Sequence, residues 1–461
     1  MLIQSLFENR LTILNRVLKP SLPLIKSSIR SIVPKLPRMT PPRIAIVGAG
    51  PAGCTLARIL LNDSIPVTIF EGESSPSFRS QGGSLDLHPK TGQAALKECG
   101  LFEEFEKYAR YDGEAAATVD KNLVYYLKAE GTTKETSRGR PEIDRGDLRK
   151  ILVESLPKGV IQWGKRIKNV EEGKEDGQYI LHFVDGTTAS DFDLLVGADG
   201  AWSKVRPLVS DAQPYPVGIG GYDLMIPNAA ETQPEISALV NRGTIFSFSD
   251  GKGICLQQRG DGQISCYAWS VRNENWMQEC GYDVHDPAQV RAALEKEYAD
   301  WKHPLGKGPL VADEKSITPR NLYILPIGHR WKHRTGVTVI GDAAHLMSPF
   351  AGEGVNLAMD DSMKLAQAIK SAVAAEKSED HTILNEKVKA FEEDMFVRAE
   401  DMAKLSQTML EDMWMTPGAP RSSIQAWVQH AIGGKYHDRW WLKILLPQWF
   451  LRLMIRAFFR W

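Results

Sequence analysis

Buried strands alternate with helices from about residue 43 onward. A buried strand and a glycine-rich turn are predicted in PPRIAIVGAG, and the following helix is predicted in PAGCTLARILLND. A second strand is predicted in VTIFE, which ends at Glu71. A strand, a helix and a second strand in this order form a βαβ unit. The pattern therefore predicts that a doubly wound parallel sheet begins here.

Three later segments extend this α/β pattern. A helix is predicted in DRGDLRKILVESL, where Asp144 is placed to cap the helix and Asp147 lies in its first turn. A buried strand followed by a turn is predicted in DFDLLVGADG. The stretch VTVIGD predicts a strand beside the first strand, and a helix is expected to begin near Gly354.

The middle of the chain has a different pattern, in which apolar and polar residues alternate with a period of two. Such strands are predicted in TIFSFS, ICLQQ and ISCYAWSV. The last two are joined through Asp261-Gly262, a strong signal for a β-hairpin. We therefore predict an antiparallel sheet in a second domain. Beyond residue 385 the pattern is helical, with a break near Thr416-Pro417-Gly418.

Composition and charge exclude several classes of protein. The chain has 461 residues, 43% of them hydrophobic and 25% charged, as in ordinary globular proteins. Its formal net charge is only -1, so no bulk field favours nucleic acid. The five cysteines form an odd set without CxxC spacing, which is typical of reduced thiols. We expect a cytoplasmic monomer that binds no metal ion.

The two ends of the chain leave alternatives open. Residues 1–43 carry eight Arg or Lys side chains and one acid, Glu8. This leader fits a mitochondrial presequence or a membrane-surface helix. The alternatives are a disordered extension and a wrongly assigned start, with the true start at Met39. The aromatic tail carries Lys443, Arg452, Arg456 and Arg460, so it has no run of ~20 uncharged residues that would span a bilayer. It fits peripheral membrane contact or packing on the chain's own surface.

The first glycine-rich turn has the context of a dinucleotide-binding fingerprint. Gly48 permits the tight turn, Gly50 allows close approach of a pyrophosphate, and Gly53 allows the helix to pack on the strand. The helix N-terminus favours the phosphate charge. Glu71 ends the second strand and is placed to bind an adenosine ribose.

A later segment, GDAAHLMSPFAGEGVN, distinguishes FAD from NAD. Asp342 ends a strand and can meet hydroxyl groups of the ribityl chain. Pro349, Gly352 and Gly354 bring the backbone close to a flat group before a helix begins. The N-terminus of that helix would stabilise the negative charge of a reduced flavin. We therefore predict FAD as the cofactor.

These patterns together predict an α/β fold, in which a Rossmann-like FAD-binding domain carries an inserted antiparallel-sheet substrate domain and C-terminal helices. The predicted boundaries are a basic extension over 1–42, the FAD-binding domain over 43–212 and 321–384, the substrate domain over 213–320, and a C-terminal helical region with an aromatic tail over 385–461.

Five motifs resemble those of the class A flavoprotein monooxygenases, the group that contains para-hydroxybenzoate hydroxylase. They are GAGPAG, GGSLDLH, DRGDLR, GADGAWSKVR and GDAAHLMSPFAGEGVN. The resemblance runs from about residue 43 to 410 and is strongest to tetracycline-inactivating monooxygenases and their fungal relatives. GGSLDLH is the most specific motif, because most of the wider group lacks it.

The resemblance implies a set of cofactor contacts and no catalytic acid or base. Arg79 would lie near the flavin or NADPH, and Asp199 belongs to a motif associated with both FAD and pyridine nucleotide. For Arg79 and Arg149 a surface position or an ion pair is the alternative, and for Asp86 it is a turn cap. The predicted cofactor-binding residues are Gly48, Gly50, Ala52, Gly53, Glu71, Arg79, Gly83, Asp86, Arg149, Asp199, Asp342, Pro349, Gly352, Gly354 and Val355.

The same resemblance implies the reaction. NADPH or NADH would bind transiently and reduce the flavin, O2 would form a C4a-hydroperoxide, and one oxygen would pass to an aromatic or polycyclic substrate. A flavin oxidase or dehydrogenase, and a flavin-binding protein at a membrane, are the alternatives.

Substrate contacts are expected on the middle sheet. Alternation places Phe246 with Phe248, and Tyr267 with Trp269, on shared faces. Gln257 or the neighbouring Gln258 would orient a polar group of the substrate. The alternative is that these aromatic side chains form the core of the sheet. This region departs from the tetracycline-degrading relatives, so we do not expect tetracycline as the substrate.

Overall fold

A five-stranded parallel sheet carries the first predicted turn. The computed structural model describes residues 41–76, 82–375 and 381–435, the last five of these by their backbone alone. The strands of this sheet are β1 Ile44–Val47, β2 Val67–Phe70, β7 Ile161–Gln162, β11 Leu194–Gly197 and β17 Val337–Val339. Their order in the sheet is β17-β11-β1-β2-β7.

The predicted position of strand β17 was wrong by one strand. Strand β11 lies between β1 and β17 and pairs in parallel with both. All four residues of β11 are buried, as is usual for a central strand of a parallel sheet. Because β11 is apolar on both faces and pairs through both edges, it lies in the middle of the sheet, next to β1, and β17 lies at the edge.

Helices cover this sheet and bring distant motifs together. They are α1 Pro51–Asn62, α2 Gly92–Glu98, α3 Phe102–Glu106, α4 Arg145–Glu154, α9 Asp342–His345 and α10 Gly354–Ala375. Helix α1 begins directly after the first turn, and helix α10 begins at Gly354, as predicted. The hydroxyl of Ser362 in α10 donates to the carbonyl oxygen of Ala52 in α1 (2.8 Å).

The prediction that Asp144 caps helix α4 was wrong. Asp144 occupies the N-cap position but makes no side-chain cap bond. Its carboxylate accepts instead from the backbone N–H of Gly260 (3.0 and 3.1 Å) and lies 3.5 Å from Arg110 and 3.6 Å from Arg259. Two nearly buried guanidinium groups bind the carboxylate more strongly than the helix terminus does.

A seven-stranded sheet forms the second layer. Its strands are β4 Ala116–Val119, β5 Tyr125–Ala129, β12 Tyr215–Ile226, β13 Thr244–Ser249, β14 Lys252–Gln258, β15 Ile264–Val271 and β16 Thr318–Ile324. Their order in the sheet is β16-β12-β15-β14-β13-β4-β5. The predicted hairpin is confirmed, because β14 and β15 pair antiparallel around Gly262, whose φ is +84°. Strands β4 and β5 lie outside the range 213–320 in sequence, yet they extend this sheet.

Two small sheets and several short helices complete the two layers. An antiparallel ribbon of two strands lies against the large sheet, and a three-stranded sheet lies beside the parallel sheet. The remaining elements are strands β3 Ser84–Asp86, β6 Glu142–Asp144, β8 Ile167–Glu172, β9 Tyr179–Phe183 and β10 Thr188–Ala189, and helices α5 Ala229–Thr232, α6 Pro234–Val240, α7 Trp276–Glu279 and α8 Pro287–Glu297.

The C-terminal part is helical, as predicted. Helix α11 spans Thr382–Leu410 and continues into one π-helical turn, Glu411–Met415. The chain then breaks at Pro417 and Gly418, and helix α12 spans Ile424–Lys435. No helix in the described ranges combines the length and apolar character that crossing a membrane requires. The predictions for residues 1–40 and for the aromatic tail from 436 lie outside the described residues.

Candidate functional site

The first turn is held tightly on two sides and is open on the third. Gly48 has φ +105°, and a Cβ there would lie 2.4 Å from the carbonyl oxygen of Ala198. A Cβ on Gly53 would lie 2.0 Å from the carbonyl oxygen of Gly48. At Gly50, no atom lies within 4 Å of a Cβ position. The turn therefore exposes its backbone at the position where a dinucleotide-binding fingerprint predicts the pyrophosphate.

The Glu71 carboxylate fixes this turn. Its Oε2 accepts from the backbone N–H of Ala49 (2.7 Å), and its Oε1 accepts from the N–H of Glu73 (2.8 Å). The side chain is half-buried at the end of strand β2. Glu71 thus lies beside the open face of the turn, where a ribose would bind.

Asp199 follows strand β11 and lies next to the first turn through Ala198. Its Oδ2 accepts from the N–H of Lys204 (2.7 Å), whereas its Oδ1 is buried and meets no hydrogen-bond partner within the ranges described. Burial raises the pKa of this carboxyl above its usual value, against the hydrogen bonds of Ser203 and Lys204. An unpartnered buried acceptor at this place suits a bound ligand that donates a hydrogen bond.

The turn after strand β17 also approaches the first helix. A Cβ on Gly341, whose φ is +60°, would lie 3.6 Å from the Cβ of Ala52. The N–H of Gly341 donates to the buried Asp361 (3.1 Å), which fixes the turn from behind. Asp342 itself is exposed and begins helix α9. Its carboxylate is free to bind a hydroxyl-rich chain.

The segment before helix α10 leaves the N-terminus of that helix accessible. Pro349 is exposed, Gly352 has φ +67°, and no atom lies within 4 Å of a Cβ position on Gly354. Val355 is half-buried and packs against the hydrophobic core around the parallel sheet. Helix α10 has 22 residues, so the positive end of its dipole faces this open space.

Asp86 lies directly opposite this segment. Its Oδ1 is 3.3 Å from the Cβ position of Gly352, so a larger residue at 352 would displace the carboxylate. Asp86 belongs to strand β3 and not to a turn, which argues against the turn-cap alternative. The pKa of Asp86 is lowered: burial acts to raise it, but the hydrogen bond to His88 and the charges of His88 and Arg140 outweigh burial.

Sequence reasoning missed three residues in this region. His88 lies 3.0 Å from Asp86 and 3.3 Å from Glu353, and Asn356 bonds to the backbone of both segments. All three are part of the motifs GGSLDLH and GDAAHLMSPFAGEGVN, in which only other residues are predicted to contact FAD. Contacts between two distant segments are not readable from either motif alone.

Arg149 takes part in a buried ion pair. Its guanidinium donates to Glu73 (2.6 Å), and both side chains are less than a tenth exposed. A second nitrogen lies 3.5 Å from the carbonyl oxygen of Pro76. This placement agrees with the ion-pair alternative and leaves the predicted FAD contact untested. Arg79 lies outside the described residues.

The face of the large sheet that carries Gln257, Tyr267 and Trp269 is predicted to bind the substrate, and it contacts strand β3 and the segment before helix α10. The hydroxyl of Tyr267 lies 2.9 Å from the Cβ position of Gly83, whose φ is +84°. Gln257 accepts from the N–H of Ser84 (3.0 Å), so this face contacts strand β3. The rings of Tyr267 and Trp269 contact each other at a tilt of 55°, with centroids 5.2 Å apart, and Trp269 meets Phe350 edge-on at 6.3 Å.

The two phenylalanines of this face differ in environment. Phe246 is 38% exposed, whereas Phe248 is 7% exposed and packs edge-on against Trp414 (5.3 Å). Phe248 thus behaves as the core alternative predicts. Phe246 is left open to a ligand.

These turns fit an FAD molecule. Three places are open to a ligand: the backbone at Gly50, the backbone at Gly354 and the carboxylate of Asp342. The turn before Asp342 and helix α10 both contact Ala52, which lies two residues after Gly50. The buried acceptor on Asp199 adds a place for a donor from the ligand. The open backbone and the acceptor groups present therefore match the polarity of an FAD molecule.

Comparisons with known proteins find monooxygenases among the relatives of this chain. Monooxygenase penA from Penicillium thymicola is 29% identical over 409 residues, which cover 79% of this chain and 93% of that protein. For 6-hydroxynicotinate 3-monooxygenase from Pseudomonas fluorescens the identity is 27% over 352 residues, which cover 72% of this chain and 84% of that protein. The solved structure of tetracycline destructase Tet(51) is similar with a TM-score of 0.62 at 19% identity, and covers 86% of this chain and 98% of that one.

The family assignment comes from the sequence profile of the FAD binding domain family, which matches residues 42–386. This range contains every described turn of the candidate cofactor site. It confirms FAD as the cofactor and agrees with the resemblance to class A flavoprotein monooxygenases. The chain belongs to the FAD binding domain family and is an FAD-dependent monooxygenase.

Proposed function

We propose that this monooxygenase consumes NADPH or NADH and transfers one oxygen atom from O2 to an aromatic or polycyclic small molecule. The observation that carries this proposal is the aromatic sheet face, where Trp269 meets Phe350 of the cofactor segment at 6.3 Å. A flat substrate on this face would lie beside the FAD segment. The name of the relative 6-hydroxynicotinate 3-monooxygenase, which is 27% identical, supports an aromatic substrate for this chain as well.

The chain's own residues would hold the cofactor at several places. The open backbone at Gly50 would receive the pyrophosphate, and the carboxylate of Asp342 would accept hydrogen bonds from the ribityl hydroxyls. The N-terminus of helix α10 would face the ring and favour its negative charge after reduction. FAD supplies the electron transfer between the reductant and O2 once it is bound.

Two side chains on the sheet face have the chemistry to orient a substrate. Burial raises the pKa of Tyr267 to about 12, so its hydroxyl stays protonated at neutral pH and can donate a hydrogen bond. Gln257 is held by Ser84 through two bonds, of 3.0 and 3.4 Å, which fixes its amide in one orientation. A carbonyl or hydroxyl group of the substrate would bind between these two side chains.

The test is turnover of the purified full chain. We expect a yellow protein whose NADPH or NADH oxidation accelerates with members of a panel of phenolic and polyketide-like compounds. With isotope-labelled O2, mass spectrometry of the product should show one labelled oxygen atom. Unlabelled product together with stoichiometric peroxide would contradict oxygen transfer and identify an oxidase or dehydrogenase instead.

A further inference from the structure

His88 lies between two carboxylates that come from distant parts of the chain. Its Nε2 is 3.0 Å from Oδ2 of Asp86, and its Nδ1 is 3.3 Å from Oε2 of Glu353. The side chain is almost completely buried. A neutral imidazole carries one N–H, so it can donate to only one of these two carboxylates. Both carboxylates receive a hydrogen bond only when the imidazole is doubly protonated.

The backbone joins the same two segments. The N–H of His88 donates to Oδ1 of Asn356 (2.8 Å). The amide of Asn356 donates in turn to the carbonyl oxygens of Asp86 (2.8 Å) and Gly352 (3.3 Å). The end of strand β3 and the first turn of helix α10 are therefore connected by a continuous set of hydrogen bonds around His88.

We propose that His88, in its doubly protonated form, is a positioning residue that clamps the segment Gly352–Asn356 onto strand β3 and so holds the surface where the flavin binds. The clamp rests on the proposed placement of FAD at this segment. His88 acts through Glu353 and Asn356, so it need not touch the cofactor.

The two carboxylates that face the His88 ring, Asp86 and Glu353, favour its protonated form. The positive charge of Arg140, which lies 3.6 Å from Asp86, acts in the opposite direction, and Glu142 pairs with Asp86 across the ribbon. Burial acts to lower the pKa of His88, but its hydrogen bonds to both carboxylates outweigh burial and raise the pKa above its usual value.

The direction of these pKa shifts sets the pH range of the clamp. The stabilisation from His88 is complete below the ordinary histidine pKa of ~6.5 and is lost as the pH rises through the raised pKa. The contribution of Asp86 is present above its ordinary pKa of ~3.9 and is lost as the pH falls through the lowered value. The clamp is therefore strongest in mildly acidic solution and weakens in alkaline solution.

Titration of the full chain with FAD, followed by quenching of flavin fluorescence, tests the clamp at pH 6 and pH 9. We expect His88→Gln and Glu353→Gln to weaken FAD binding about 10-fold at pH 6, because each variant removes the charged pair that joins the two segments. Affinity should fall between the two pH values in the wild type and stay nearly constant in His88→Gln. The matched control is His182→Gln, since His182 lies 3.2 Å from Glu171 on another sheet and should leave both values unchanged.

A second readout does not depend on the cofactor. Hydrogen exchange of the peptide that covers 352–357, measured on the full chain without FAD, should be faster in both variants than in the wild type at pH 6. If exchange is faster in both variants but the wild type does not bind FAD, the result would support the clamp and contradict the proposed flavin site. Wild-type exchange together with wild-type FAD affinity in His88→Gln would contradict the clamp and leave the flavin site intact.

Discussion

The three glycines of the first turn have different surroundings, although a sequence motif treats them alike. Gly48 and Gly53 are enclosed by backbone, so a methyl group at either position would overlap a carbonyl oxygen. Gly50 faces open space. Gly48 and Gly53 are therefore required by the fold, whereas nothing in the fold requires a glycine at position 50, where we propose that the pyrophosphate binds.

Gly50→Ala and Gly53→Ala should separate binding from stability. Gly50→Ala should leave the unfolding free energy near the wild-type value and weaken FAD binding at least ~10-fold, about 1.4 kcal/mol, because the methyl group occupies the space of the pyrophosphate. Gly53→Ala should lower the unfolding free energy by about 1–3 kcal/mol through overpacking. Urea unfolding and FAD titration measure the two effects. Unchanged FAD affinity in Gly50→Ala would show that the pyrophosphate lies elsewhere.

Among the elements, the ribbon of β3 and β6 places two carboxylates side by side with opposite behaviour. Asp86 pairs with Glu142 in register. Asp86 is stabilised as an anion by His88 and Arg140, whereas burial raises the pKa of Glu142 to about 7. The hydroxyl of Ser84 donates to Glu142, and this bond reduces the effect of burial only in part.

The raised pKa of Glu142 predicts a pH-dependent loss of stability. Its stabilisation is complete below the unfolded pKa of 4.5 and is lost as the pH rises to about 7, because the unfolded chain ionises first. Glu142→Gln should remove this decline, so the variant gains up to ~1.4 kcal/mol relative to the wild type for each unit of pKa shift. Urea unfolding from pH 4 to pH 8 measures the difference. Glu295→Gln, on the exposed side of helix α8, is the control and should follow the wild type. Parallel curves for wild type and Glu142→Gln would contradict the buried, protonated carboxyl.

Most elements near the first turn could be predicted from the sequence, since buried strands, Gly-rich turns and the Asp261-Gly262 hairpin are local signals. The neighbours of each strand could not. Strands β4 and β5 join a sheet whose other strands begin at residue 215, and β11 separates β17 from β1. Asp144 has a capping residue's position but binds Arg110 and Arg259, which arrive from other elements. Long-range partners of this kind leave no periodic trace in the sequence.

At the scale of the whole molecule, two separate hydrophobic cores support the two large sheets. One core surrounds the parallel sheet, and the other covers the face of the seven-stranded sheet opposite to Tyr267 and Trp269, since it contains Cys266 and Ala268. A third, smaller cluster joins the sheet face to the C-terminal helices through Phe248, Trp414 and Ile424. Trp414 also contacts Phe350, so the π-helical turn after helix α11 touches the cofactor segment.

Trp414→Ala should affect both stability and coupling. Trp414 is 5% exposed and lies over Gly253, so its removal leaves a cavity and should cost about 3–5 kcal/mol of unfolding free energy. Water that enters beside Phe350 should raise the share of NADPH oxidation that ends in peroxide. Urea unfolding and peroxide per NADPH measure these effects. Trp202→Ala, at a side chain that is 60% exposed, should change neither quantity. Equal coupling in both variants would contradict a role for Trp414 in closing the site.

The glycines and carboxylates of the candidate cofactor site could be proposed from the sequence, because each belongs to a local motif. Glu71 and Asp342 follow strands β2 and β17, and Asp86 lies in strand β3 opposite Gly352. Their contacts with FAD stay a prediction. His88, Glu353 and Asn356 could not be assigned a role, since that role depends on contact between residues more than 260 positions apart.

A crystal structure of the full chain with FAD tests the central claim most directly. We expect electron density for the pyrophosphate at the backbone of Gly50, for the ribityl chain beside Asp342, and for the ring at the N-terminus of helix α10. A flavin bound away from these three turns, or density that touches only one of them, would contradict it.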